Sequence, residues 1–223
     1  MIDTEIASGV SREQSDTTTM VRQIAHELRQ PLSTIESIAY YLELILPRSD
    51  ERARAQVERL QQLVDQSNWI VSNAVNFVQA SPAIPQEVVL SELVSLATSE
   101  CRMDNALRLD MEPEATVRLD PGQAVHLIRN LLMFFRKIAT EQAPLCISLN
   151  EGRDLTRIRF STTAVVFAEY DVRLMFEPYS AALPSGSGLS LASVKRIVEA
   201  HEGDIEIDVS PATGTTIVLI LPR

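Results

Sequence analysis

His26 and Glu27 stand side by side in the stretch Met20–Leu46, which reads MVRQIAHELRQPLSTIESIAYYLELIL. An imidazole next to a carboxylate suits nucleophilic or acid–base work near neutral pH. Arg29 and Gln30 follow within one helical turn and add a guanidinium and an amide to the same neighbourhood. Apolar residues recur at Ile24, Leu28, Ile35, Ile38, Leu42 and Ile45, mostly three, four or seven apart, which is the period of one helical face. At about 100° per residue, His26 falls off that stripe. A helix that buries the stripe therefore holds the imidazole near solvent. Pro31 removes a backbone hydrogen bond inside the pattern and is expected to bend the helix just beyond the histidine.

Composition narrows what this chemistry serves. The net charge of −10 argues against nucleic acid and against an anionic membrane surface, both of which reward a basic excess. No apolar run approaches the roughly 20 residues of a membrane span. The opening MIDTEIASGVSREQSD lacks a basic region followed by an apolar core, so no signal peptide is expected. Cys101 and Cys146 form no CxxC pair and read as free thiols, which fits a cytoplasmic location. His26, His126 and His201 lie far apart, and no metal-ligand spacing is present.

Stepping outward from His26, residues 1–16 are polar and aperiodic and read as a flexible leader. Residues 17–81 read as a helical hairpin: one helix to about Leu46, a turn at Pro47–Asp50, and a second helix from Glu51 to about Ala80. Two helices cannot enclose an apolar stripe on both sides, so a homodimer completing a four-helix bundle is expected. Ser81-Pro82-Ala83-Ile84-Pro85 breaks the pattern and marks a domain boundary. Residues 86–223 mix strands with helices: strands at 108–111 and 116–119, a helix capped by Asp120 and running to about Glu141, a hairpin at 145–160, a loop at Pro184–Gly188, a helix at 189–201 and two closing strands. Ser91 is expected to cap a helix over 91–104. The fold class expected is α plus α/β, with the helical hairpin followed by an α/β sandwich whose helices cover one face of a mixed sheet.

At this point the motifs resemble a known family. His26-Glu27-Leu28-Arg29-Gln30-Pro31-Leu32 resembles the phospho-acceptor box of two-component sensor histidine kinases. DPGQAVHLIRNLLMFFRK (Asp120–Lys137) resembles the asparagine box of their ATP-binding domain, and Phe176-Glu177-Pro178-Tyr179 their phenylalanine box. GSGLSLASVKRIVEAHEGDIEI (Gly186–Ile207) resembles their second glycine box with the helix and strand after it. The resemblance spans about residues 17–223 and implies a histidine-kinase-type ATPase-like sandwich in the second half.

The departures fall in the nucleotide site. Asn130, Leu131 and Lys137 match the asparagine box, but Phe134 stands where the family's second asparagine holds magnesium, and Phe135 replaces a small alanine. Thr162 stands in the slot of the family's adenine-binding aspartate, with Ala164 and Val166 in place of glycines. Gly186 and Gly188 remain, while Ser190 replaces a further glycine. The resemblance thus implies that His26 carries a phosphoryl group, that Glu27 can act as its base, that Gln30 stands where relatives orient a hydrolytic water, and that Arg29 meets a phosphoryl group or an acidic partner face. The reading that follows from the departures is a phosphorelay histidine phosphotransferase that exchanges phosphate with response-regulator receivers. Its nucleotide site is expected to be too degenerate to bind ATP well, and no cofactor is expected. The alternatives are an active ATP-dependent sensor histidine kinase, which needs ATP and magnesium, and a non-catalytic binding module that regulates a kinase or receiver.

Overall fold

The structure, a computed structural model, describes residues 2–79, 82–101, 107–165, 172–180 and 188–223. Val166 and Gly186 lie outside the described residues. The chain divides into two compact units, Met1–Ala80 and Ser81–Arg223.

The first unit is a helical hairpin of α1 (Ile2–Ile45) and α2 (Glu51–Val78). The leader expected over residues 1–16 is instead continuous with α1, because no proline interrupts it and Glu5, Arg12, Glu13 and Gln14 all favour helix. Pro31 sits inside α1 without ending it. The turn closes on Asp50, whose carboxylate accepts from Ala53 N–H at 3.1 Å and so caps α2. Across the hairpin, Gln61 donates to Glu43 at 2.8 Å and Arg29 to the Ser72 hydroxyl at 3.3 Å.

The stripe read from the sequence is not the face that α1 turns to α2. Ile24, Leu28, Ile35, Ile38 and Ile45 are exposed in the single chain. The row that is buried or half-buried is Val21, Ala25, Leu32, Ala39, Leu42 and Leu46, near a seven-residue repeat. Alanines on this row let the two helices approach closely. The larger residues are left as a second apolar face.

The second unit is a sandwich. A two-stranded antiparallel ribbon joins β1 (Gln86–Val89) to β3 (Thr116–Leu119). The main sheet has the order β2-β4-β5-β7-β6, from β2 (Leu107–Asp110), β4 (Leu145–Glu151), β5 (Leu155–Thr162), β6 (Asp204–Ser210) and β7 (Gly214–Pro222). The β2–β4 pair is parallel and the others are antiparallel, so the sheet is mixed. β2 and β3 flank one turn in sequence but belong to different sheets. Along β5, Thr156, Ile158, Phe160 and Thr162 are buried while Leu155, Arg157 and Arg159 are exposed, the signature of a sheet covered on one face.

The cover is α3 (Leu90–Cys101), α4 (Pro121–Phe135) and α5 (Ser190–Ala200), with α4 packed between the other two. Asp120 caps α4 through Gln123 N–H at 3.0 Å, with Pro121 in the first turn. Ser91 lies inside α3 and donates to the Pro113 carbonyl at 2.6 Å, so it is not the cap. α4 ends at Phe135, short of the expected Glu141, because Lys137 and Ile138 N–H turn back on Phe134 and Phe135 carbonyls in tighter three-residue steps. Phe134 and Phe135 are fully buried and meet edge to face at 5.2 Å, and Phe135 stacks on Phe160 of β5 at 6.4 Å.

Gly214 opens β7 with φ +81°, and a Cβ there would run into the Thr162 carbonyl oxygen. Gly214→Ala is therefore expected to cost about 1–3 kcal/mol, from a left-handed backbone and a contact that only backbone movement relieves. Urea unfolding of the variant checks this through a lowered midpoint at unchanged slope.

Candidate functional site

Chemistry-bearing residues gather in two places, one in each unit. On α1, His26 is exposed, as its place off the apolar stripe implies. The Gln30 amide nitrogen lies 3.4 Å from His26 Nε2. An amide N–H can only donate, so Nε2 accepts and the ring proton sits on Nδ1. Glu27 is exposed, and its Oε1 accepts from the Gln23 amide at 3.0 Å. Arg29, also exposed, is directed onto Ser72 of α2. The structure thus brings His26, Glu27 and Gln30 together on one stretch of helix and holds Arg29 on the neighbouring one. Gln23 was not singled out from the sequence. Its spacing, four residues before Glu27, is the signal that finds it.

In the second unit, α4 presents its few polar residues at the edge of an otherwise apolar face. Asn130 is fully buried, and its amide nitrogen lies 3.2 Å from His126 Nε2. Burial, and secondarily the Arg129 charge, lower the His126 pKa from 6.5 to about 4, so its ring is neutral near pH 7. Lys137, exposed just past α4, has its pKa lowered from the usual lysine value by desolvation. His201 is buried at the end of α5. Its Nε2 accepts from Asp120 N–H at 2.8 Å, and its Nδ1–H donates to the Ile197 carbonyl at 2.7 Å. The Asp120 carboxyl is held below its usual range chiefly by the Gln123 N–H, then, against the opposing effect of burial, by Ile84 and Gly122 N–H.

The slots that depart from the family pattern are filled by packing. A magnesium ion does not fit at Phe134: a hard cation needs oxygen ligands, and this side chain is hydrocarbon sealed in the core. Among the described residues no group of three or more His, Cys, Asp or Glu could hold a metal ion. Thr162 is buried, donates to the Ala143 carbonyl at 2.7 Å and accepts from Ala164 N–H at 3.3 Å, so its hydroxyl ties the end of β5 to the adjacent turn. Gly188 lies against Tyr179, whose backbone N–H donates to the Gly188 carbonyl at 2.6 Å and which itself sits at φ 57°. α5 then begins without a side-chain cap at Leu189. The backbone donors of such a first turn suit a phosphate group.

Comparison with known proteins gives these features a context. Residues 119–223 match the family model described as histidine kinase-, DNA gyrase B- and HSP90-like ATPase. The sensor histidine kinase ZraS of Escherichia coli K12 is 25% identical over 205 residues, covering 89% of this chain and 44% of that protein. The histidine-protein kinase BaeS of the same organism is 27% identical over 230 residues, covering 98% and 49%. Among solved structures, full-length ShkA in complex with AMPPNP superposes with a TM-score of 0.65 at 21% identity, covering 92% of this chain and 45% of that one. The Acinetobacter baumannii histidine kinase AdeS gives 0.57 at 18% identity, covering 88% and 97%. The chain spans less than half the length of the curated relatives named here.

These findings overturn the expectation of a phosphotransferase with a nucleotide site too degenerate for ATP. The relatives that share both units are named sensor histidine kinases, and the matching family model is an ATPase. The physical reason is that Phe134 and Thr162 are absorbed into packing locally, while the sandwich around them retains the fold of the histidine kinase structures.

His126 supplies a pH-dependent check. The folded state keeps this ring neutral down to about pH 4, whereas the unfolded ring protonates near 6.5. The unfolded state thus binds the extra proton in that window, and stability is expected to fall as pH drops through it, by on the order of 2 kcal/mol after allowance for partial exposure. Urea midpoints measured across this range should flatten in His126→Gln.

Proposed function

We propose that the chain is the phospho-acceptor and ATP-binding portion of a two-component sensor histidine kinase, the family its matched ATPase model and its relatives support. The observation that carries the reading is His26, exposed on α1 with its Nε2 beside the Gln30 amide, in a chain whose second unit matches an ATPase model. The His26 ring nitrogen attacks the terminal phosphorus of ATP. An N–P bond forms, the P–O bond to the leaving ADP breaks, and the ring proton passes to Glu27 or water. The phosphoryl group then moves to an aspartate of a response-regulator receiver. Phosphoryl transfer of this kind depends mainly on positioning and charge stabilisation. Arg29, one turn from His26, offers a cation to the phosphoryl group or to the receiver. The first turn of α5 offers backbone donors to the nucleotide phosphates. No step is assigned to magnesium, because Phe134 gives it no ligand.

A second copy of the chain is the proposed cover for Ile24, Leu28, Ile35, Ile38 and Ile45, which one hairpin leaves exposed. In the same reading this portion works in the cytoplasm, where ATP and receivers are available; the two free cysteines are compatible with that.

Incubation of the 223-residue chain with γ-labelled ATP tests the proposal. Acid-labile, alkali-stable label is expected on the wild type and none on His26→Gln. Label that persists in the variant, or wild type that takes label from a phosphorylated receiver but never from ATP, contradicts it.

A further inference from the structure

Two glutamines flank His26 on α1, and each holds one of the two groups that transfer requires. Gln23 donates to Glu27 Oε1 at 3.0 Å, and the Gln30 amide meets His26 Nε2 at 3.4 Å. All four side chains are exposed, so no packing forces these pairs together. We infer that Gln30 is a brake on His26: its amide covers the Nε2 lone pair that must attack phosphorus. The inference rests on His26 being the phosphoryl acceptor.

The lone pair that accepts the Gln30 N–H is the one that forms the N–P bond, and it cannot do both. The hydrogen bond therefore exists in the resting state and is lost on the way to transfer. An interaction made only in the ground state raises the barrier by its own strength. For one exposed hydrogen bond this corresponds to a rate lowered about two- to five-fold. Gln30 also holds the ring proton on Nδ1, so the stored form has the reactive tautomer and lacks only a free lone pair. Gln23 acts in the same sense on Glu27, since a carboxylate oxygen occupied by an amide is a less available proton acceptor. Gln30 is thus a positioning residue, set one helical turn from the atom it controls.

The test uses phosphoramidate on the full 223-residue chain, so that it does not depend on the nucleotide site. In that reaction the Nε2–P bond forms, the P–N bond of the donor breaks, and ammonia leaves. Gln30→Met keeps the length and helix preference of the side chain but has no donor. Labelling of His26 is expected to be about two- to five-fold faster in Gln30→Met than in wild type. In parallel, nitrogen NMR of the His26 ring is expected to show the Nδ1–H tautomer enriched in wild type and reduced in the variant, a signature that a merely structural role would not move. Equal or slower labelling, or an unchanged tautomer ratio, overturns the brake while leaving His26 as acceptor. Absence of label on His26 in both proteins overturns the acceptor reading and the brake with it.

Discussion

Burial of one face of α4 is the constraint on which the second unit depends. Leu127, Ile128, Leu131, Leu132, Phe134 and Phe135 are all sealed in the core that the sheet closes with Ile147, Ile158, Phe160, Ile217 and Leu219. A face this apolar admits few polar groups. Asn130 pairs with His126, and Asp120 receives backbone donors while its own N–H goes to His201. The aromatic pair is the most consequential element of that face. Phenylalanine at position 134 strengthens the core and removes an oxygen from the place where this family presents a metal ligand. The same substitution therefore serves packing and changes the demands on the nucleotide site.

The first unit obeys the opposite constraint. Two helices bury only a narrow row of small and medium residues between them, with Ala25 and Ala39 almost inaccessible. The larger aliphatic residues of α1 are left facing outward, which is more apolar surface than a solitary hairpin is expected to expose. His26 sits one residue from Ala25, beside the row where the helices touch, and remains open to solvent. A helix held on one side by its partner presents a fixed, accessible imidazole.

Much of this was legible in the sequence because it rests on local rules. The helical period and the turn at Pro47–Asp50 gave the hairpin. Asp120-Pro121 gave the start of α4, and alternation gave β4, β5 and β7 to within a few residues. His26 was placed near solvent by its phase alone. What could not be read locally was tertiary. The pairing of β3 with β1 and of β2 with β4 depends on partners distant in sequence. The stripe of α1 was identified as apolar, but the row that meets α2 was not, since period says which residues share a face and not what covers it. Phe134 and Thr162 were read as evidence against ATP. Together with Phe135, Ala164, Val166 and Ser190 they outweighed, in that reading, the two-unit layout that the chain shares with sensor histidine kinases. The capping of His26 by Gln30 follows from helical spacing, but its direction required knowing that the amide nitrogen faces Nε2.

His26 faces solvent, and the proposed function requires the sandwich to receive a nucleotide with Phe134 sealed in its core. Nucleotide binding is therefore its most exposed point. Calorimetric titration of the 223-residue chain with ATP addresses it directly. The account predicts one saturable site from which ADP displaces ATP. Absence of binding heat up to millimolar ATP, by a chain shown to be folded, would contradict it.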